Sequence, residues 1–159
     1  MVRLPDRVLK QRAAELAGVD PDLATDLVDT MRASPACVGL AAPQLGIGRR
    51  AFAVDVSAHP KVTVSHGLVV LFDSEIVEAH GREIGREGCM SVPDLTANVA
   101  RAVSIVVKGL TPSGESTVIE TEGFEARAFQ HEIDHLDGML ILDRVASLTT
   151  DVFRRQVYR

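Results

Sequence analysis

The sequence predicts an α+β fold, with mostly antiparallel β-sheets packed around a central helix late in the chain. Three observations carry that expectation. Runs that read as strands are spread along the chain: "AFAVDV" (51–56), "GLVVLFDSEIVEA" (67–79) and "AVSIVVKGL" (102–110). The turn "TPSGE" joins the last of these to "STVIET" (116–121), which makes a hairpin. A helix then runs from about Phe124 to Leu136, with Gly138 placed to end it.

Other elements follow from local chemistry. Asp20-Pro21 reads as an N-cap followed by proline at the first helical position. Leu23, Leu27, Val28 and Met31 then recur at helical spacing, and the helix ends before Pro35. Glycines and small residues make 36–48 a loop on this reading, and three glycines with one proline do the same for 81–94. "MLILDRV" (139–145) reads as a short strand, and a short basic helical tail closes the chain at about 147–159. With 159 residues, no repeats and no long linker, the expectation is a single domain over 1–159.

Bulk properties exclude several function classes. A formal net charge of −5 does not suit binding nucleic acid by phosphate neutralisation, so no direct nucleic-acid specificity is expected. Arg154, Arg155 and Arg159 form a small basic cluster, read as a solvated helix face, with a transient ribosome contact as the alternative. No apolar run approaches the length of a membrane span or a signal peptide, so a soluble, cytoplasmic protein is expected. Two cysteines, Cys37 and Cys89, are too few for a disulfide framework and suit a reducing compartment.

The chemistry centres on "FQHEIDHLDG" (129–138), which contains His131-Glu132-Ile133-Asp134-His135. Residues four apart share a helix face, so both imidazoles can reach one metal ion. Phe124, Ala128, His131 and His135 fall at i, i+4, i+7 and i+11, which turns the histidines inward. Two buried neutral imidazoles would otherwise each need a partner of their own. A third ligand is hard to find downstream. A final histidine of the metzincin type would fall at Ile141, and no glutamate follows Glu132. Asp137, Asp143 and Asp151 remain, but Asp137 points to a different face from His135. Upstream, Cys89 sits in "REGCMSVP" beside Gly88, which lets backbone approach closely. A thiolate with two imidazoles suits Zn(II), Fe(II), Co(II) or Ni(II) and leaves a position open for water; a buried apolar cysteine is the competing reading.

Three segments stand in order: "VGLAAPQ" (38–44), "EGCMS" (87–91) and "QHEIDHLDG" (130–138). Together they resemble the peptide deformylase family, and "LPDRVLKQRA" is similar to its usual start, so the likeness spans about residues 4 to 143. The resemblance implies a metal-dependent enzyme that removes the formyl group from N-formylmethionine at the start of newly made polypeptides. It implies Cys89, His131 and His135 as metal ligands, with Fe(II) the usual ion and zinc or nickel as variants. Glu132 becomes the acid/base, Gln44 and the backbone N–H of Met90 the oxyanion donors. Gly39, with Val38, Leu40 and Cys37 beside it, lines the substrate cleft, and Glu87 with Arg101 steadies the Cys89 loop. It also implies an α+β fold with the His-Glu-x-x-His helix among antiparallel strands.

Five positions depart from the family pattern. Cys37 stands where the first glycine of Gly-x-Gly-Leu-Ala-Ala is usual, and Met90 replaces the leucine after the metal cysteine. Asp73-Ser74 replaces a common Asn-Pro pair, and Thr96 stands where many members carry arginine. Competing readings are a relative acting on another N-formyl or N-acyl substrate, a metallopeptidase, and a non-catalytic metal-binding or ribosome-associated module. The last is disfavoured because a structural zinc site needs a fourth protein ligand and no general base.

Overall fold

The computed structural model describes residues 1–156. Its first helix, α1 (Pro21–Ala33), begins as the sequence predicts: the Asp20 carboxylate accepts from the Leu23 N–H at 3.0 Å, and Pro21 occupies the first turn. Leu23, Leu27 and Met31 are buried along one stripe. Five strands form one antiparallel sheet in the order β1 (Gly39–Ala41), β2 (Ala51–Val54), β3 (Val69–His80), β6 (Ser104–Leu110) and β7 (Ser116–Glu122). A second antiparallel sheet has the order β4 (Glu83–Cys89), β5 (Val92–Arg101) and β8 (Val152–Arg154). The long helix α2 (Gly123–Leu136) carries the His-Glu-x-x-His motif.

Alternation along β1 and β2 explains how the five-stranded sheet packs on both faces. Phe52 and Val54 join Ala126, Phe129, Ile133 and Leu136 of α2 in one core. Ala51, Ala53 and Leu40 point the other way and pack under α1 with Leu23, Leu27 and Met31. A third cluster, including Val92, Ala97, Val99 and Leu9, supports the three-stranded sheet. Asp73, with φ 49°, kinks β3 at a register shift, and its carboxylate accepts from the Leu16 and Ala17 N–H groups at 2.8 and 2.9 Å.

Several sequence expectations need correction. The glycine-rich run 81–94 is not a loop: it supplies β4 and the start of β5, with Met90 and Ser91 between the paired ends Cys89 and Val92. Within 36–48 lie β1 and a single 3₁₀ turn, Ala42–Leu45. "MLILDRV" holds one turn of helix, α3 (Ile141–Arg144), whose start is tied by the Asp143 carboxylate accepting from the Leu140 N–H at 2.8 Å. The expected helical tail is not helical up to residue 156. Its Val152-Phe153 pair favours extended backbone and adds as β8 to β5, while Arg159 lies outside the described residues. No helix among the described residues is long and apolar enough to cross a membrane.

Candidate metal centre and cleft

The local reason for the site is helix periodicity meeting a strand end. α2 turns His131 and His135 toward the tip of β4, and the ligand atoms of Cys89, His131 and His135 all lie within 4.8 Å of one another. Cys89 Sγ is 3.3 Å from His135 Nε2, and the two imidazoles meet edge-on with centroids 5.1 Å apart. Nδ1 of His131 bonds Glu87 at 2.9 Å, which leaves its Nε2 for the shared centre. Burial holds His135 well below the ordinary histidine range, which favours the neutral imidazole that a metal ion would need. For His131 burial also acts downward, but bonds to Cys89 and Glu87 outweigh it and raise its value. A thiolate and two imidazoles converging in this way fit a borderline divalent ion and leave room for a non-protein ligand.

Glu87 is the hub behind His131. Its carboxylate accepts from Arg101 Nε and Nη2, from Arg127 Nη1 and from His131 Nδ1, all at 2.9 Å. Burial alone would raise its pKa; the Arg101 and His131 bonds win and hold it well below the usual carboxylate range. Arg101 also bonds Asp134, which in turn accepts from Arg144 at 2.6 and 3.0 Å. Such a chain fixes the ring orientation of a ligating histidine. Glu87 and Arg101 were legible through the family pattern. Asp134, Arg127 and Arg144 were not, because single charges on helices read as solvated.

The remaining expected residues fall around one cleft of about 400 Å³. Glu132 is buried beside it: a Cβ at Gly39 would lie 2.5 Å from Glu132 Oε1, so only glycine lets β1 approach so closely. Glu132 Oε2 is buried and bonds no described residue, and burial pushes the carboxyl up to about 7. Gln44 is held by its carbonyl oxygen, which accepts from the Ala41 N–H at 3.0 Å. Its amide nitrogen is thereby directed toward Cys89 Sγ at 3.9 Å and Ser91 Oγ at 3.3 Å. Met90, Val38 and Cys37 line the cleft. The Leu40 side chain is fully buried and packs under α1, turned there by strand alternation. His59 stacks on Phe124 at 4.1 Å and also lines the cleft, which no sequence signal announced.

Comparison with known proteins agrees with this geometry. The polypeptide deformylase family profile matches residues 1–151. A peptide deformylase of Thermodesulfovibrio yellowstonii is 38% identical over 157 residues, 97% of this chain and 93% of that protein. One from Desulforudis audaxviator is 42% identical, covering 93% of this chain and 94% of its own length. The crystal structure of the Thermotoga maritima peptide deformylase superposes with a TM-score of 0.82 at 37% identity, over 92% of this chain and 97% of the other. A Met-Ala-Ser-bound peptide deformylase from Acinetobacter baumannii gives 0.80 at 35% identity, over 91% and 96%. On this cover and this degree of identity, the chain belongs to the polypeptide deformylase family.

Proposed function

We propose that the cleft between β1, β4 and α2 hydrolyses the N-formyl amide of N-formylmethionyl peptides, with the residues below in named roles. Family membership makes the chain a metal-dependent amide hydrolase that removes the formyl group from newly made polypeptides and releases formate. Cys89, His131 and His135 would hold one divalent ion; Fe(II) is our assignment, and Zn(II), Ni(II) and Co(II) suit the same donors. When bound, the ion supplies Lewis acidity that brings the pKa of a water toward neutrality.

The protein's own groups do the rest. Glu132 accepts the proton of the attacking water on its unpartnered Oε2, then returns it to the leaving amine. A carboxyl poised at about 7 serves both directions. The Gln44 amide and the Met90 N–H donate to the formyl oxygen as charge develops there. β1 is an edge strand, so an extended peptide can add beside Gly39. Val38, Cys37, Phe124 and Ala128 offer the methionine side chain an apolar wall. We assign the enzyme to the cytoplasm, where it would meet nascent chains, with exposed Arg154 available for a transient ribosome contact.

One observation carries the reading: three ligating atoms converge beside a buried, unpartnered glutamate oxygen. The test is formate release from formyl-Met-Ala-Ser by metal-replete protein. Glu132→Ala is expected to lose about 10²–10⁴-fold in rate while keeping its metal. Undiminished activity in that variant, or no release by the replete wild type, rejects the assignment.

A further inference from the structure

The outer rim of the cleft is cationic, although the chain carries a net charge of −5. Across the three-stranded sheet Gly88 stands opposite Thr96, and Thr96 opposite Phe153. Alternation places Arg86 on the same face as Gly88, and Arg155 on the same face as Phe153. Arg86 lies 3.6 Å over the Phe153 ring and donates to Asn98 Oδ1 at 2.9 Å and Thr96 Oγ1 at 3.4 Å. Arg155 reaches across Gly88 and donates to the Cys89 carbonyl at 3.3 Å. Any side chain at position 88 would collide with that guanidinium. Both arginines line the cleft.

Their charges differ in circumstance from those deeper in. Arg101, Arg127 and Arg144 are each paired with Glu87 or Asp134. Arg86 and Arg155 form no ion pair with any described residue. Stacking and a carbonyl bond nevertheless hold them in place, so little side-chain entropy is left to lose when an anion arrives. Thr96 between them is short and leaves the face open.

We propose that Arg86 and Arg155 determine specificity, favouring formyl-Met peptides that carry a carboxylate side chain at the second residue after the methionine. The inference rests on the deformylase reading. Arg155 touches the carbonyl of Cys89, whose sulfur belongs to the reacting centre, so the rim lies only a short length of extended peptide beyond it. A planar guanidinium suits bidentate pairing with a carboxylate. The β8 strand has a function on this account: it brings Arg155 to the cleft.

The experiment compares kcat/KM for formyl-Met-Ala-Asp-amide and formyl-Met-Ala-Asn-amide, with the Asn peptide also made as the free acid. The amides remove the terminal carboxylate, so only the side chain differs. The Asp peptide is expected to be preferred about fivefold, chiefly through KM, as for one or two exposed ion pairs. Raising the salt from about 0.05 M to about 0.5 M should shrink the preference. Arg155→Ala and Arg86→Ala should each lower the Asp:Asn ratio, and Arg155→Lys should retain most of it. A purely structural role for Arg155 would slow both peptides alike and leave the ratio unmoved, which would overturn the proposal. So would a wild-type ratio of one, or a gain seen only with the free acid. Failure to turn over either amide would sink the deformylase reading itself, a distinguishable result.

Discussion

Helix α2 presents two unlike stripes to the two sheets. Toward the five-stranded sheet it shows Ala126, Phe129, Ile133 and Leu136, all buried and apolar. Toward the three-stranded sheet it shows Arg127, His131 and Asp134, at i, i+4 and i+7, each bonded to a charged partner of that sheet. The first contact is non-directional and holds the helix in place by burial. The second is directional and fixes a ring and a thiol-bearing strand end relative to each other. Affinity for the fold and orientation of the site are thereby assigned to separate surfaces of one element.

Mutations on the two sides should separate those roles. Phe52, fully buried and edge-on to Phe129 at 5.5 Å, anchors the apolar side. Phe52→Ala should cost about 3–5 kcal/mol in denaturant unfolding, while the folded protein keeps its metal affinity within about threefold. An equal fall in affinity would mean the two surfaces are not separable. Glu87→Gln attacks the other side. It weakens the acceptor shared by His131, Arg101 and Arg127, and metal affinity should drop about 10–100-fold in a competition titration. A normal affinity in that variant would show that Glu87 only pairs charges.

The same contrast decides what the sequence reveals. β2, β3, β6 and β7 were legible because the sheet they build has an apolar interior, and β-branched runs mark it. β4 was not. Its inward positions are Gly85, Glu87 and Cys89, so the usual alternation of apolar and polar is absent and the glycines read as a loop. α3 was misjudged because a short apolar run such as Leu140-Ile141-Leu142 has no period of its own. In the site, His131, Glu132 and His135 announce themselves by local spacing, whereas Cys89 lies 42 residues before His131 and was reached only by eliminating downstream ligands, with the family pattern then agreeing. Asp134, Arg127 and His59 became functional candidates only when tertiary structure gave each a partner.

Asp73 offers a smaller test, because it is a polar clip on the apolar sheet. It holds a left-handed backbone at φ 49° and accepts two N–H groups from the chain before α1. Asp73→Ala should cost about 1–2 kcal/mol by thermal or denaturant unfolding, with no change in metal content. Asp73→Asn tolerates the same backbone and keeps one acceptor oxygen, so it should cost less than about 1 kcal/mol. An alanine variant as stable as the asparagine variant would show that neither the two bonds nor the left-handed backbone at this position carries the stability.

The smallest effect is expected at Cys37, which sits where the apolar and polar halves meet at the cleft. Its thiol donates to the Gly39 carbonyl at 3.1 Å, and burial, reinforced by the Glu132 carboxylate, pushes it up to about 11. It is therefore a protonated thiol at neutral pH, a hydrogen-bond donor and wall atom rather than a nucleophile. Iodoacetamide labelling of Cys37 should be slow at neutral pH and rise by about tenfold per pH unit as the thiolate fraction grows, without a plateau before the midpoint near 11. Cys37→Gly removes the donor and a little wall, so kcat/KM for a formyl-Met peptide should change by less than about threefold, with metal content unchanged. A much larger change, with the metal still bound, would mean that the thiol shapes the methionine slot. Fast labelling at neutral pH would mean that burial of the thiol, with the Glu132 carboxylate beside it, does not hold it protonated.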